Sequence, residues 1–152
     1  MERMNGFMNS WMAHRNALIE LVKTVGDEHL NYKPWEDAMS FSELVLHITS
    51  ATEMFVQTVK RGVFTPPTEK KSVDSINELL STIQSETEQT KAGLESLTNE
   101  QLEQIVEFAG MKMPGMVMLE SGKDHEIHHK GQLFTYARLI GVKELPFFIS
   151  RG

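Results

Sequence analysis

The chain has 152 residues, 40% of them apolar or aromatic and 24% charged, the size and composition of one domain over residues 1–152 with a core of its own. It contains no cysteine, which excludes a disulfide scaffold, a thiolate nucleophile, a Cys-based zinc site and a Cys-ligated iron–sulfur cluster. Fifteen Lys and Arg against 21 Asp and Glu leave a formal net charge of -6, with no basic cluster beyond Lys70-Lys71, which argues against duplex DNA as a partner. No apolar run approaches the roughly 20 residues of a membrane span. Met1-Glu2-Arg3-Met4-Asn5-Gly6 lacks the basic-then-apolar order of a secretory leader, so the expected setting is the cytoplasm, with neither membrane nor nucleic-acid partners.

The first predicted helix runs from about Met4 to Val25. Met4, Phe7, Met8, Trp11, Leu18, Leu21, Val22 and Val25 recur mostly at spacings of three and four, and Gly26 is placed to end it. A loop follows through His29, Tyr32, Lys33, Pro34 and Trp35. The second helix has the clearest start: Ser40-Phe-Ser-Glu43 is a capping box, with Met39 and Leu44 placed as a hydrophobic staple. Its apolar face continues through His47, Ile48, Ala51, Phe55 and Val59, and Gly62 with Pro66-Pro67 closes it. A third helix is predicted over about Val73 to Leu97, with Ile76, Leu80, Ile83 and Leu94 inward and a polar face rich in Ser, Thr, Gln and Glu outward. Thr98-Asn-Glu-Gln101 is a second capping box that starts a short turn, and Ile105-Val-Glu-Phe108 is the one place where a strand is expected. The last helix should begin at Pro114 as its first residue and run to about Ile140, with Gly141 as its stop. Its inward stripe reads Met118, Gly122, His125, His129, Leu133, Tyr136 and Ile140. Four long amphipathic helices joined by loops predict an all-α four-helix bundle.

With cysteine absent, a metal would depend on His, Asp or Glu. His125 and His129 stand one helical turn apart on one face, the spacing that lets two imidazoles converge on an ion. His128 offers an i,i+3 alternative with His125, but it points about 100° away from the stripe. His47, on the apolar face of the second helix, is the candidate third ligand. Alone, it reads as a core histidine with a hydrogen-bond partner. Three neutral imidazoles suit Zn, Ni, Fe or Cu, with Zn or Ni the first expectations, and leave a coordination position open.

The run His125-Glu-Ile-His-His129-Lys-Gly-Gln-Leu-Phe-Thr-Tyr-Ala-Arg138-Leu-Ile-Gly141 closely resembles the signature of the DinB/YfiT-like family of metal-dependent proteins. Ser40-Phe-Ser-Glu-Leu-Val-Leu-His47-Ile and Tyr32-Lys-Pro-Trp35 resemble it too, in the right order and spacing along the whole chain. The resemblance implies an up-down-down-up four-helix bundle, a homodimer, and a divalent metal ion held by residues corresponding to His47, His125 and His129. It also implies an enzyme that uses low-molecular-weight thiols such as bacillithiol or mycothiol, as an S-transferase or a thiol-dependent isomerase. The competing expectations are metal-assisted hydrolysis of a small-molecule substrate and a non-catalytic, stress-related bundle that binds metal or ligand without turnover. The family more often carries Arg where this chain has Lys130, which loses bidentate pairing and leaves that position without a fixed role.

Other positions carry two readings each. His14 could line a cavity or make a structural hydrogen bond, and His29 has no role. Glu126 is a conceivable general base, although it projects about 100° from His125. Gly122 could leave room for substrate or let two helices approach, and Tyr136 could orient a ligand or pack in the core. Met111, Met113, Met116 and Met118 could form a thioether box for Cu(I), but core filling at a helix start is the expected role. Leu145-Pro-Phe-Phe-Ile149 should pack back on the bundle or into a subunit contact.

Overall fold

The computed structural model describes residues 2–67 and 70–152. Four long helices carry most of the chain: α1 (Glu2–Lys23), α2 (Phe41–Arg61), α3 (Ile76–Glu95) and α5 (Gly115–Leu139). Between the last two lie a one-turn helix α4 (Asn99–Glu103) and an antiparallel hairpin of β1 (Ile105–Phe108) and β2 (Met111–Pro114). Helices α1 and α2 each pack against both α3 and α5, so every long helix has two long neighbours. Among the described residues no helix is long and apolar enough to cross a membrane.

The capping chemistry sets the boundaries. Ser40 Oγ accepts from the Glu43 amide at 3.2 Å while Glu43 Oε1 accepts from the Ser40 amide at 2.9 Å, and α2 ends at Gly62 with φ 75. The Thr98–Gln101 box starts α4 in the same way. Helix α3 begins at Ile76 rather than near Val73, because Ser75 caps it by accepting from the Glu78 amide at 3.0 Å. Helix α1 stops at Lys23, and Gly26 is extended there, opening a 3-10 turn over Asp27–His29 instead of ending the helix left-handed.

The all-helical expectation is corrected by the hairpin. The strand expected over residues 105–108 is present, and its partner is Met111–Pro114, which reads in sequence as the approach to a Met-rich helix. Ala109 and Gly110 both take positive φ, 51 and 81, which matches the twist of a two-residue hairpin connection. Pro114 is extended and precedes α5 as its N-cap, so the first helical residue is Gly115, not Pro114. The methionines divide accordingly: Met116 and Met118 are buried, whereas Met111 is exposed on the hairpin and no four-thioether box forms.

Two apolar cores result. One gathers Leu18, Leu21, Val22, Phe41, Val45, Ile48, Leu79, Ile83 and Leu133. The other gathers Phe7, Trp11, Phe55, Val59, Leu94, Leu102, Met118 and Leu119. On every long helix polar residues are buried between these two sets: Arg15 on α1, Thr52 on α2, Thr87 and Thr90 on α3, Glu126 on α5. Arg15 meets Glu126 in a two-pronged ion pair, Nε to Oε2 at 2.8 Å and Nη2 to Oε1 at 2.7 Å, with both side chains fully buried. Trp11 Nε1 and Thr52 Oγ1 also donate to Glu126 Oε1, at 3.0 and 2.9 Å, and Arg15 Nη1 donates to Thr87 Oγ1 at 2.9 Å. The polar face of α3 is therefore not all outward, as its composition suggested. Thr87 faces Arg15, Thr90 donates to Glu53 at 2.6 Å, and Glu86 accepts from Thr49 at 2.8 Å.

Removing one member of a buried pair leaves an uncompensated charge, a loss of roughly 3–5 kcal/mol. Arg15→Leu and Glu126→Leu should each lower the urea midpoint accordingly. The double variant should be less destabilised than the sum of the two, and strict additivity of the singles would show that the pair is not coupled.

Candidate metal centre

His47 stands on α2 two turns after the Ser40 cap, and His125 and His129 stand one turn apart near the middle of α5. Their Nε2 atoms converge. His125 Nε2 lies 3.3 Å from that of His47 and 3.1 Å from that of His129, and the candidate ligand atoms all fall within 4.8 Å of one another. Ligands about 2.0–2.1 Å from a tetrahedral ion lie roughly 3.3–3.4 Å apart, so the spacing is that of a coordination shell. A proton on His125 Nε2 could be given to only one of the two facing nitrogens, whereas a cation between the three rings meets every lone pair.

The supporting contacts fit the same reading. His129 Nδ1 lies 2.7 Å from Gln132 Oε1, an acceptor, so Nδ1 carries the proton and Nε2 presents its lone pair. His125 Nδ1 is the one buried side-chain polar atom left without a partner among the described residues, so the polar contacts of this ring are those of its Nε2 to His47 and His129. Burial, then the facing His129 and His47, pushes the His125 imidazole down to about 4. Burial and His129 lower that of His47 as well. Both are neutral at neutral pH, the form that binds metal.

Close approaches hold the two histidine-bearing helices together on either side of the cluster. A Cβ on Gly122, one turn before His125, would lie 2.9 Å from the Phe55 ring of α2. Gly122 therefore serves the approach of the helices, and its space is filled by Phe55 rather than left for substrate. Beyond His129, the Tyr136 hydroxyl donates to the Met39 carbonyl at 2.9 Å and its ring meets Tyr32 edge-on. Burial, then Tyr32, raises the phenol above its ordinary value, keeping it a donor.

The remaining candidates are placed as follows. His128 is exposed, and His29 lies in the 3-10 turn beside Glu28. Glu126 is fully buried and turned away from His125, so it is no general base. Burial alone would raise its carboxyl, but Arg15, with the hydrogen bonds from Arg15, Trp11 and Thr52, holds it below the usual carboxylate value. Lys130 has a definite place: it is 3% exposed, 2.8 Å from His14 Nδ1, and donates to the Phe148 carbonyl. The tail follows that contact, with the Ser150 amide donating to Ala13 O at 2.8 Å while the Phe147 and Phe148 rings stay exposed. Arg15 belongs to no sequence motif, and its one signal is that Trp11, Arg15, Leu18 and Val22 follow spacings of four, three and four, putting a charge on a buried stripe.

Two cavities flank the cluster. One of about 290 Å³ is lined by His47, Ser50, Glu86 and Lys71, among others. The other, about 430 Å³, is lined by His129, Trp35, Tyr136 and Leu139, and both share Met39.

The profile of the DinB family matches residues 1–151. The chain belongs to the DinB family. It is 37% identical over 150 residues to the uncharacterized protein YjoA of Bacillus subtilis (strain 168), covering 97% of each. The crystal structure of that DinB-like protein from Bacillus subtilis superposes with a TM-score of 0.83 at 36% identity over the full length of both chains. A DinB-like protein from Bacillus cereus ATCC 10987 superposes with a TM-score of 0.79 at 20% identity over 94% of this chain and 95% of that one, a likeness of fold.

The depressed imidazole gives this DinB protein a pH signature. The unfolded chain takes up the His125 proton near 6.5 and the folded chain only near 4, so the stability due to that ring is complete above about 6.5 and lost as pH falls toward about 4. The urea midpoint of metal-free protein should decline across that window, and His125→Asn should flatten the decline. A wild-type midpoint constant from about pH 7 to about pH 4.5 would contradict the assignment.

Proposed function

We propose that this DinB protein is a divalent-metal enzyme in which His47, His125 and His129 hold the ion, Zn or Ni, and that it transfers a low-molecular-weight thiol to an electrophilic small molecule. The observation that carries the reading is the convergence of three Nε2 atoms, on two helices, at coordination spacing. A divalent ion there would supply Lewis acidity, lowering the pKa of a bound thiol or water. The chain's own residues provide the rest. Burial keeps protons off His47 and His125, Gln132 orients His129, and one cavity reaches His47 while the other reaches His129. With no cysteine in the chain, the sulfur of such a reaction comes from the substrate. The same reading takes the four long helices as an up-down-down-up bundle, paired into a homodimer that light scattering would detect.

Metal analysis of purified wild type should find about one ion per chain, with His47→Ala and His129→Ala depleted of it. Unchanged metal content in both variants would overturn the site. Consumption of a thiol with 1-chloro-2,4-dinitrobenzene should then require the metal, fall on chelation and return with Zn or Ni. Metal binding with no turnover of any thiol or ester would leave the protein a binding bundle.

A further inference from the structure

We infer that the cavity beside His47 receives a substrate through a primary ammonium group, with the Glu86 carboxylate as its partner and Lys71 as the cation it displaces. The inference rests on the metal–thiol reading only for where the other end of that substrate goes.

Glu86 lies on α3 and is 9% exposed, yet it faces the same cavity as His47. Thr49 donates to its Oε1 at 2.8 Å, which fixes the carboxylate in the wall. Its Oε2 carries the Lys71 ammonium at 3.3 Å. The two partners are unequal, since the Glu86 side chain is 11% exposed and that of Lys71 49%. A carboxylate so far from water needs a cation beside it, whereas a lysine on a flexible four-carbon stem can swing to solvent at little loss.

Among the described residues, no other group lining the cavity is placed for this role. Lys70 and Glu43 form a surface pair at 3.6 Å, with the lysine 85% exposed. The Ser50 hydroxyl donates to the His47 carbonyl of its own helix. Met39, Leu46 and Pro67 supply apolar wall for a short methylene stem. The Lys71 ammonium thus marks the position of a ligand cation, on a buried acceptor and in a cavity that His47 of the candidate metal centre also lines. The fitting substrate class is a small amine with a metal-binding head, which for a thiol means an aminothiol.

The test compares cysteamine with 2-mercaptoethanol on Co(II)-loaded protein, titrated by the cobalt–thiolate charge-transfer band. Wild type should bind cysteamine at least about tenfold tighter, the worth of one hydrogen-bonded charge contact. E86Q, which keeps an oxygen for Thr49, should abolish that preference and leave 2-mercaptoethanol unaffected. K71M should bind cysteamine several-fold tighter than wild type, because the competing ammonium is gone. A preference that survives in E86Q reports chelation or thiol acidity and overturns the inference, as does K71M binding no tighter than wild type. If neither thiol gives a band, the thiol reading fails, and metal-free protein decides the inference alone. Propylammonium signals in ligand-observed NMR should broaden with wild type and with K71M but not with E86Q. Equal broadening in wild type and E86Q, or none in wild type, overturns it.

Discussion

The carboxylate of Glu126 is the constraint around which the molecule is built. Fully buried, it would be untenable without partners, and it has four donor contacts from three side chains: two from Arg15, one from Trp11 and one from Thr52. Arg15 in turn donates to Thr87. These contacts join α1, α2, α3 and α5 at one level, between the two apolar cores. Apolar side chains tolerate small slides and rotations of one helix against another, but a two-pronged guanidinium–carboxylate contact does not. The ion pair therefore fixes the height and rotation of each helix, which hydrophobic burial alone would leave loosely set.

The site inherits that precision because Glu126 directly follows His125, and Thr52 lies little more than a turn beyond His47. The bond between Thr52 and Glu126 ties the two histidine-bearing helices together close to the imidazoles. Phe55 against Gly122 and Tyr136 against Met39 hold them on either side, and Phe55 is backed by Phe108 of the hairpin at 5.4 Å between ring centroids. The hairpin thus supports the centre without contributing a ligand. His125 and His129 stand at the margin of the buried face of α5, whose middle is taken by Gly122, Glu126, Lys130 and Leu133. That placement combines enough burial to lower the His47 and His125 imidazoles with the partial exposure that all three rings keep.

The caps at Ser40 and Thr98 were legible because their hydrogen bonds are local, and a four-residue pattern contains both partners. The trio His47, His125 and His129 was legible because imidazoles on faces that helical periodicity turns inward are few. What periodicity could not show is a buried face made of polar residues. Glu126 and Lys130 on α5, and Thr87 and Thr90 on α3, look like solvent-facing positions until Arg15, the chain tail and Glu53 are brought to them. Each depends on a partner more than thirty residues away, or on a tail whose path no local rule sets. Residues 111–114 carry no strand signal of their own, because methionine has no strong strand preference. The turn at Ala109-Gly110 pairs them with β1 instead.

Helix α5 carries two parallel lines at one-turn spacing. Gly122, Glu126 and Lys130 form the inner line, in contact respectively with Phe55, with the Arg15 network, and with His14 and the Phe148 carbonyl. His125 and His129 form the outer line, about 100° round the helix. Every polar group of the inner line is satisfied within the chain, and burial lowers the Lys130 ammonium, as expected for a cation held away from water. Changes on the outer side, among Met39, Ser50, Glu86 and Leu139, leave those inner contacts intact. The helices can therefore keep the three imidazoles together while the cavities beside them change shape and charge.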